Sequence, residues 1–277
     1  MFIEVKKDSL LKNIESPRII FIGGSNITLG LNSQLVKDSL HLNPINTGII
    51  APIGLKYMLK SSIEFIREGD VVIVIPEYHQ FHGSLADGGE LLLSLLFEVS
   101  YKFNSVDMQQ YLKLSILTPK YIASKLSFWN DFKSDESVEN SLMGLQSYNI
   151  YGDVSKHWDM PKPTTFEKYD MEGDLNIEAF EILTDFKTEI ENKKAHLFIS
   201  YPCYSESSFN ESLSQINNIE KELKELQIEI LGTPMRYKFN DSLIFDTAYH
   251  LTYDGVEQRT RLLIEDIKKT GNISYRK

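Results

Sequence analysis

A serine follows two glycines at Gly23-Gly24-Ser25-Asn26, directly after the apolar run Arg18 to Ile22. Two glycines permit a tight strand-to-helix turn. A serine placed there stands beside a helix N-terminus, whose N–H groups and positive dipole end suit a developing oxyanion. Near the other end, Asp246 precedes His250 by four residues in Phe245-Asp246-Thr247-Ala248-Tyr249-His250-Leu251. A carboxylate so close to a histidine can fix the imidazole tautomer and stabilise the imidazolium that forms when the ring takes a proton. Each segment also has a plainer reading: turn and helix-cap chemistry at Ser25 or Asn26, and an Asx-type turn at Asp246. Position favours chemistry, because both segments are expected at the C-terminal ends of strands, where a nucleophile and a base with its orienter can meet across one sheet edge.

The elements that would position them alternate between β-rich apolar runs and amphipathic helices, the pattern of a parallel sheet covered on both faces. Strands are expected at Arg18 to Ile22, Ile45 to Ile50, Val71 to Ile75, Ala195 to Tyr201 and Ile228 to Leu231. Val71 to Ile75 is five consecutive β-branched residues, the mark of a strand buried on both faces. Helices are expected from about Leu29 to Leu40, Gly54 to Arg67, Glu211 to Leu226 and Tyr253 to Lys269, with apolar residues recurring at three- and four-residue spacings. The segment from about 82 to 194 breaks this rhythm. It carries helical patterns at Gly89 to Phe103 and Met108 to Leu126, then an aromatic stretch with Trp129, Tyr148, Tyr151, His157 and Trp158. We read it as an insertion on the C-terminal edge of one three-layer α/β domain spanning 1–277, its aromatics either a platform for sugar rings or a lid over the core.

Composition narrows the partners. The chain has 277 residues, 42% apolar and 25% charged, with a formal net charge of −10. Nucleic-acid affinity rests on clustered Lys and Arg, so DNA and RNA are excluded as expected partners. The longest nearly unbroken apolar stretch, Leu91 to Phe97 with Ser94 inside it, is far short of the ~18 to 20 residues of a membrane span. The first twenty residues hold no apolar signal core, and the single cysteine, Cys203, makes no internal disulfide; the expected location is cytoplasmic. No phosphate-loop Gly-Lys-Ser/Thr and no dinucleotide Gly-x-Gly-x-x-Gly follows a strand, so no cofactor is expected. His79 and His82 lack an evident third metal ligand, and no metal is expected either.

Four blocks, FIGGSNITLG at Phe21 to Gly30, NTGIIAPIGLKYML at Asn46 to Leu59, GDVVIVIPEYHQF at Gly69 to Phe81 and FDTAYHLTYDGVEQR at Phe245 to Arg259, give an order that resembles the SGNH/GDSL hydrolase superfamily. The likeness is to divergent members associated with bacterial surface polysaccharides. It implies a flavodoxin-like fold of about five parallel strands, and a serine esterase or acyltransferase. It further implies Ser25 as nucleophile, His250 as base and Asp246 as the third triad member, with the backbone N–H groups of Ser25 and Gly48 in the oxyanion hole and Gly54 as a substitute for Gly48. The blocks depart from the family pattern in two places. Asp246 to His250 is four residues rather than three, and the third block lacks the asparagine whose amide completes the oxyanion hole. Gln80 is the expected substitute donor, with Tyr78 or His79 as others. Losing one such donor costs roughly 2.7 to 4 kcal/mol in serine enzymes.

The expected substrate is an acylated carbohydrate or another ester, with O-acetyl as the favoured group. Asn26, Glu77, Tyr78 and Tyr201 are expected to contact it. Glu77 has a second reading, an ion pair with Arg259, and Arg236, Lys238 and Arg259 are read as a local cluster able to hold one anion. A different class of function is also open: a glycan-binding or assembly protein that keeps the fold without turnover.

Overall fold

The computed structural model describes residues 3–127, 142, 144–169 and 171–271. Five strands form one parallel sheet: β1 (Arg18–Gly23), β2 (Asn43–Asn46), β3 (Val71–Ile75), β4 (His196–Ser200) and β6 (Glu229–Leu231). Two-residue strands β5 (Tyr204–Ser205) and β7 (Lys238–Phe239) make a separate parallel ladder. The main sheet runs β2-β1-β3-β4-β6. With β5 set aside, that is the 2-1-3-4-5 order of the flavodoxin-like doubly wound sheet.

Every residue of β1 and β3 is buried, which is why both read as unbroken apolar runs. Their register sets Gly23 beside Ile75. Ser25 and Glu77, each two residues further on, therefore leave the sheet at the same end.

Ten α-helices are described: α1 (Ile3–Asn13), α2 (Ser25–Thr28), α3 (Ser33–Leu40), α4 (Leu55–Ile63), α5 (Glu90–Glu98), α6 (Met108–Ser127), α7 (Ile177–Asn192), α8 (Glu206–Glu211), α9 (Leu213–Glu225) and α10 (Tyr253–Lys269). Helix α3 packs on α10, and α4 packs on α7, in the two layers that flank the sheet. No helix among the described residues is long and apolar enough to cross a membrane.

Several elements differ from expectation for local reasons. The helix expected from Leu29 to Leu40 begins only at Ser33, because Asn32 caps it: its side chain accepts from Leu35 N at 3.2 Å. Ser33 is then pinned by Asp153, which accepts from its N–H at 2.9 Å and its hydroxyl at 2.7 Å. The second strand lies two residues earlier than expected and stops at Asn46, whose amide donates to Ile27 O and Asp153 at 2.8 and 2.7 Å. The segment from 82 to 194 contains α7, the crossover helix that delivers the chain to β4. Trp129 lies outside the described residues. The other aromatics of that segment are dispersed: Tyr148 sits under α1 with Lys7 Nζ 5.0 Å from its ring centre, whereas Trp158 packs on Tyr253 of α10.

Candidate active site

Ser25 opens α2 at the C-terminal end of β1, where first-turn N–H groups have no acceptor within the helix. Its hydroxyl donates to Glu77 Oε1 at 3.1 Å. The same oxygen accepts from Asn26 N at 2.8 Å, so one carboxylate both holds the serine and caps α2. Gly24 makes this approach possible, since a Cβ on it would lie 2.4 Å from Glu77 Oε1. Glu77 is itself fixed by a reciprocal cap. Its side chain accepts from Gln80 N, and Gln80 Oε1 accepts from Glu77 N at 3.0 Å. The second carboxylate oxygen lies 3.6 Å from His79 Nε2. Burial lowers the pKa of His79, and the charge of Glu77 opposes that shift.

Beneath this turn, Asn26 is fully buried and joins two charges. Its side-chain nitrogen lies 3.4 Å from Glu77 Oε1, and its Oδ1 accepts from Arg259 Nη2 at 2.8 Å. Arg259 Nη1 also donates to Asn26 O. Glu77 and Arg259 thus oppose each other through Asn26. Cys203 lies against the same turn, its thiol donating to Tyr249 O at 2.9 Å, and burial pushes it up to about 11.

The second half of the site is the loop before α10. Phe245 N donates to His250 O at 2.8 Å, and Ile244 pairs with Leu251, so the loop closes like a hairpin. That closure carries Asp246 and His250, four residues apart. Their side chains meet at 2.6 Å, His250 Nδ1 donating to Asp246 Oδ1. Burial opposes ionisation of Asp246, but the hydrogen bond and charge of His250 outweigh it and hold the carboxyl below its usual range. His157 packs on Phe245 with ring centres 5.4 Å apart. Burial, with the nearby charge of His250, pushes its imidazole down to about 4, so it sits neutral beside the pair. Among the described residues no hydrogen bond joins Ser25 to His250. What connects the two halves is His79, whose ring lies 5.2 Å from Tyr249, the neighbour of His250.

The remaining expected residues are engaged internally. Gly48 N donates to Asn46 Oδ1 at 3.0 Å, and a Cβ on Gly48 would lie 2.4 Å from Thr28 Oγ1. Gly54 is the turn before α4, packed against Gly88. Gln80 Nε2 donates to Ala51 O at 3.2 Å. Tyr78 and Tyr201 are core residues, each 1% exposed. Arg236, Lys238 and Arg259 do not form a cluster: Arg236 binds Asp266 and Glu265, Lys238 binds Glu206, and Arg259 is buried under Asn26. His82 Nδ1 meets Gly173 O at 3.1 Å.

A cavity of about 400 Å³ opens beside His79, bounded by Pro52, His82, Leu85, Glu90 and Glu172. A larger hollow of about 500 Å³, lined by Lys56, Asp107 and Glu178, lies in the helical layer between α4 and α7, away from Ser25 and His250. Two relationships at the site have only faint sequence signals: the Glu77-x-x-Gln80 cap spacing, and the second glycine before Ser25 that gives the carboxylate its room.

No protein-family model and no curated protein matches the chain. Among solved structures, an acetyl xylan esterase from the rumen bacterium Butyrivibrio proteoclasticus is similar at 10% identity and a TM-score of 0.35, over 94% of this chain and 65% of that one. At that score the likeness adds nothing to the fold, which stands on its own strand order.

Proposed function

We propose that the protein is a serine esterase or O-acyltransferase of the SGNH type, acting on an acylated carbohydrate, with O-acetyl as the favoured group. Ser25 attacks the ester carbonyl, and His250, oriented by Asp246, handles protons. The backbone N–H of Ser25 serves the developing oxyanion, since the next N–H, of Asn26, is bound to Glu77. If a sugar hydroxyl rather than water accepts the acyl group, the same site is a transferase. The observation that carries this reading is the 2.6 Å Asp246–His250 hydrogen bond at the sheet edge where Ser25 opens α2.

Intact-mass labelling with a fluorophosphonate tests it on wild type, Ser25→Ala and His250→Ala. One adduct, absent from Ser25→Ala, is expected, and His250→Ala reports whether the imidazole takes part in activating the serine. A folded wild type that takes no adduct sinks the reading.

A second reading is favoured by a specific observation. Gly48 N–H and the Gln80 amide, two of the expected oxyanion donors, are already spent on Asn46 and Ala51. A glycan-binding or assembly protein needs neither. Glycan affinity unchanged by Ser25→Ala, with no turnover of any acyl ester, would select it.

A further inference from the structure

This inference rests on the Ser25 reading above and assigns its first proton transfer. The Ser25 hydroxyl is directed at Glu77 Oε1, 3.1 Å away. Glu77 is 2% exposed, and a charge-assisted hydrogen bond is stronger when shielded from water. The carboxylate is held by the Asn26 and Gln80 N–H groups and by the space that Gly24 leaves. An ionised carboxylate only accepts hydrogen bonds, so its contact with Ser25 aligns the hydroxyl proton for transfer. His250 Nδ1 is bound to Asp246, which leaves Nε2 for a reacting group, and among the described residues the Ser25 hydroxyl is held by Glu77 and not by that ring.

We propose that Glu77 is the base that takes the Ser25 proton, and that His250 serves the leaving group. The Ser25 Oγ–H bond breaks as its proton passes to Glu77 Oε1. The freed Oγ pair bonds the ester carbonyl carbon, and the carbonyl π pair moves to oxygen. Collapse of that intermediate breaks the C–O bond to the alcohol, which departs with a proton from the His250 imidazolium. In deacylation, water or a sugar hydroxyl gives its proton to the neutral His250 while attacking the acyl carbon. Ser25 then departs with the proton stored on Glu77, and both groups are restored. The division suits sugar O-acyl esters, whose alkoxide leaving groups need an acid, whereas a nitrophenolate does not.

The experiment compares wild type, Ser25→Ala, Glu77→Gln and His250→Asn. It follows fluorophosphonate adduct formation by mass, and turnover of p-nitrophenyl acetate and of an alkyl acetate. Glu77→Gln keeps a carbonyl oxygen able to accept from Ser25 and Asn26 but is no longer a base. It should slow adduct formation and both turnovers by a similar factor, on the order of 10²-fold or more. His250→Asn should keep the acylation burst of p-nitrophenyl acetate, whose leaving group needs no acid, while losing acylation by the alkyl acetate. A folded Glu77→Gln protein that labels at the wild-type rate or faster, with Ser25→Ala unlabelled, overturns the assignment and leaves the serine reading standing. If wild type and Ser25→Ala behave alike, both fall. Should Glu77→Gln not fold, Glu77→Asp decides: partial activity with the same factor on both esters supports the carboxylate base, and activity equal to wild type overturns it.

Discussion

Arg259 Nη2 donates to Asn26 Oδ1 at 2.8 Å, so helix α10 holds the residue next to Ser25 from below. Arg259 Nη1 donates to Asn26 O as well, and both residues are buried. Arg259→Met removes these donors and the cation that faces Glu77 across Asn26. Leaving a buried acceptor of this kind unsatisfied costs about 1 to 3 kcal/mol. Urea unfolding should show that loss. Glu77→Gln in the Arg259→Met background should recover part of it, because the carboxylate that faced the lost cation is then gone. Equal stability of Arg259→Met and wild type would mean that Arg259 does not hold the turn.

Cys203 is buried, and its thiol is pushed up to about 11 by that burial. Arg259 pulls the value down and Glu77 pushes it up, so the thiol feels both charges under Ser25. Thiolate is the reactive form. Iodoacetamide at pH 8 should leave the native protein unmodified and add one group after denaturation. Rapid native alkylation would show that the floor of the site opens to solvent.

The parts of the molecule that were legible from sequence are those whose role is carried by apolar pattern. Strands β1 and β3 and helix α10 have the expected spans to within a residue. Helix α1 escaped because its buried face is Glu4, Lys7 and Leu11, and a stripe built from charges leaves no hydrophobic period. Helix α7 does carry an apolar stripe, with Phe180, Leu183, Phe186 and Ile190 buried, but it lies inside a segment whose rhythm is broken by aromatic loops. At the site, Ser25, Asp246 and His250 announce themselves by residue type. The Ser25–Glu77 contact does not. It depends on the β1–β3 register and on a missing Cβ at Gly24, and both exist only once the chain is folded.

Far from the site, Arg18 on β1 and Asp70, just before β3, form an ion pair with both side chains fully buried. Arg18 Nε donates to Asp70 Oδ1 at 2.9 Å, and its Nη2 also reaches Phe65 O at 2.8 Å. Either Arg18→Met or Asp70→Asn strands a partner, at a cost of about 3 to 5 kcal/mol. The double variant should lose less than the sum of the singles, because neither charge is then left alone. Strict additivity in chemical denaturation would refute the coupling.

Lys7 sets an alkaline trend in stability. Its Nζ donates to Asn46 O and Gly152 O, both at 2.7 Å, and burial lowers the ammonium to about 7 against the pull of Asp153 and Glu4. An unfolded lysine titrates near ~10.4. Between those two values the unfolded chain binds more protons at this position than the folded one. The Lys7 contribution to stability therefore rises with pH from about 7 to ~10.4 and is flat outside that window. Other groups titrate in the same range, so the quantity to follow is the stability of wild type minus that of Lys7→Met, by urea unfolding at pH 7, 8, 9 and 10. The difference should grow steadily in favour of the wild type. A constant difference would mean that Lys7 keeps its proton when buried, with the two carbonyls and the Asp153 and Glu4 carboxylates compensating the charge.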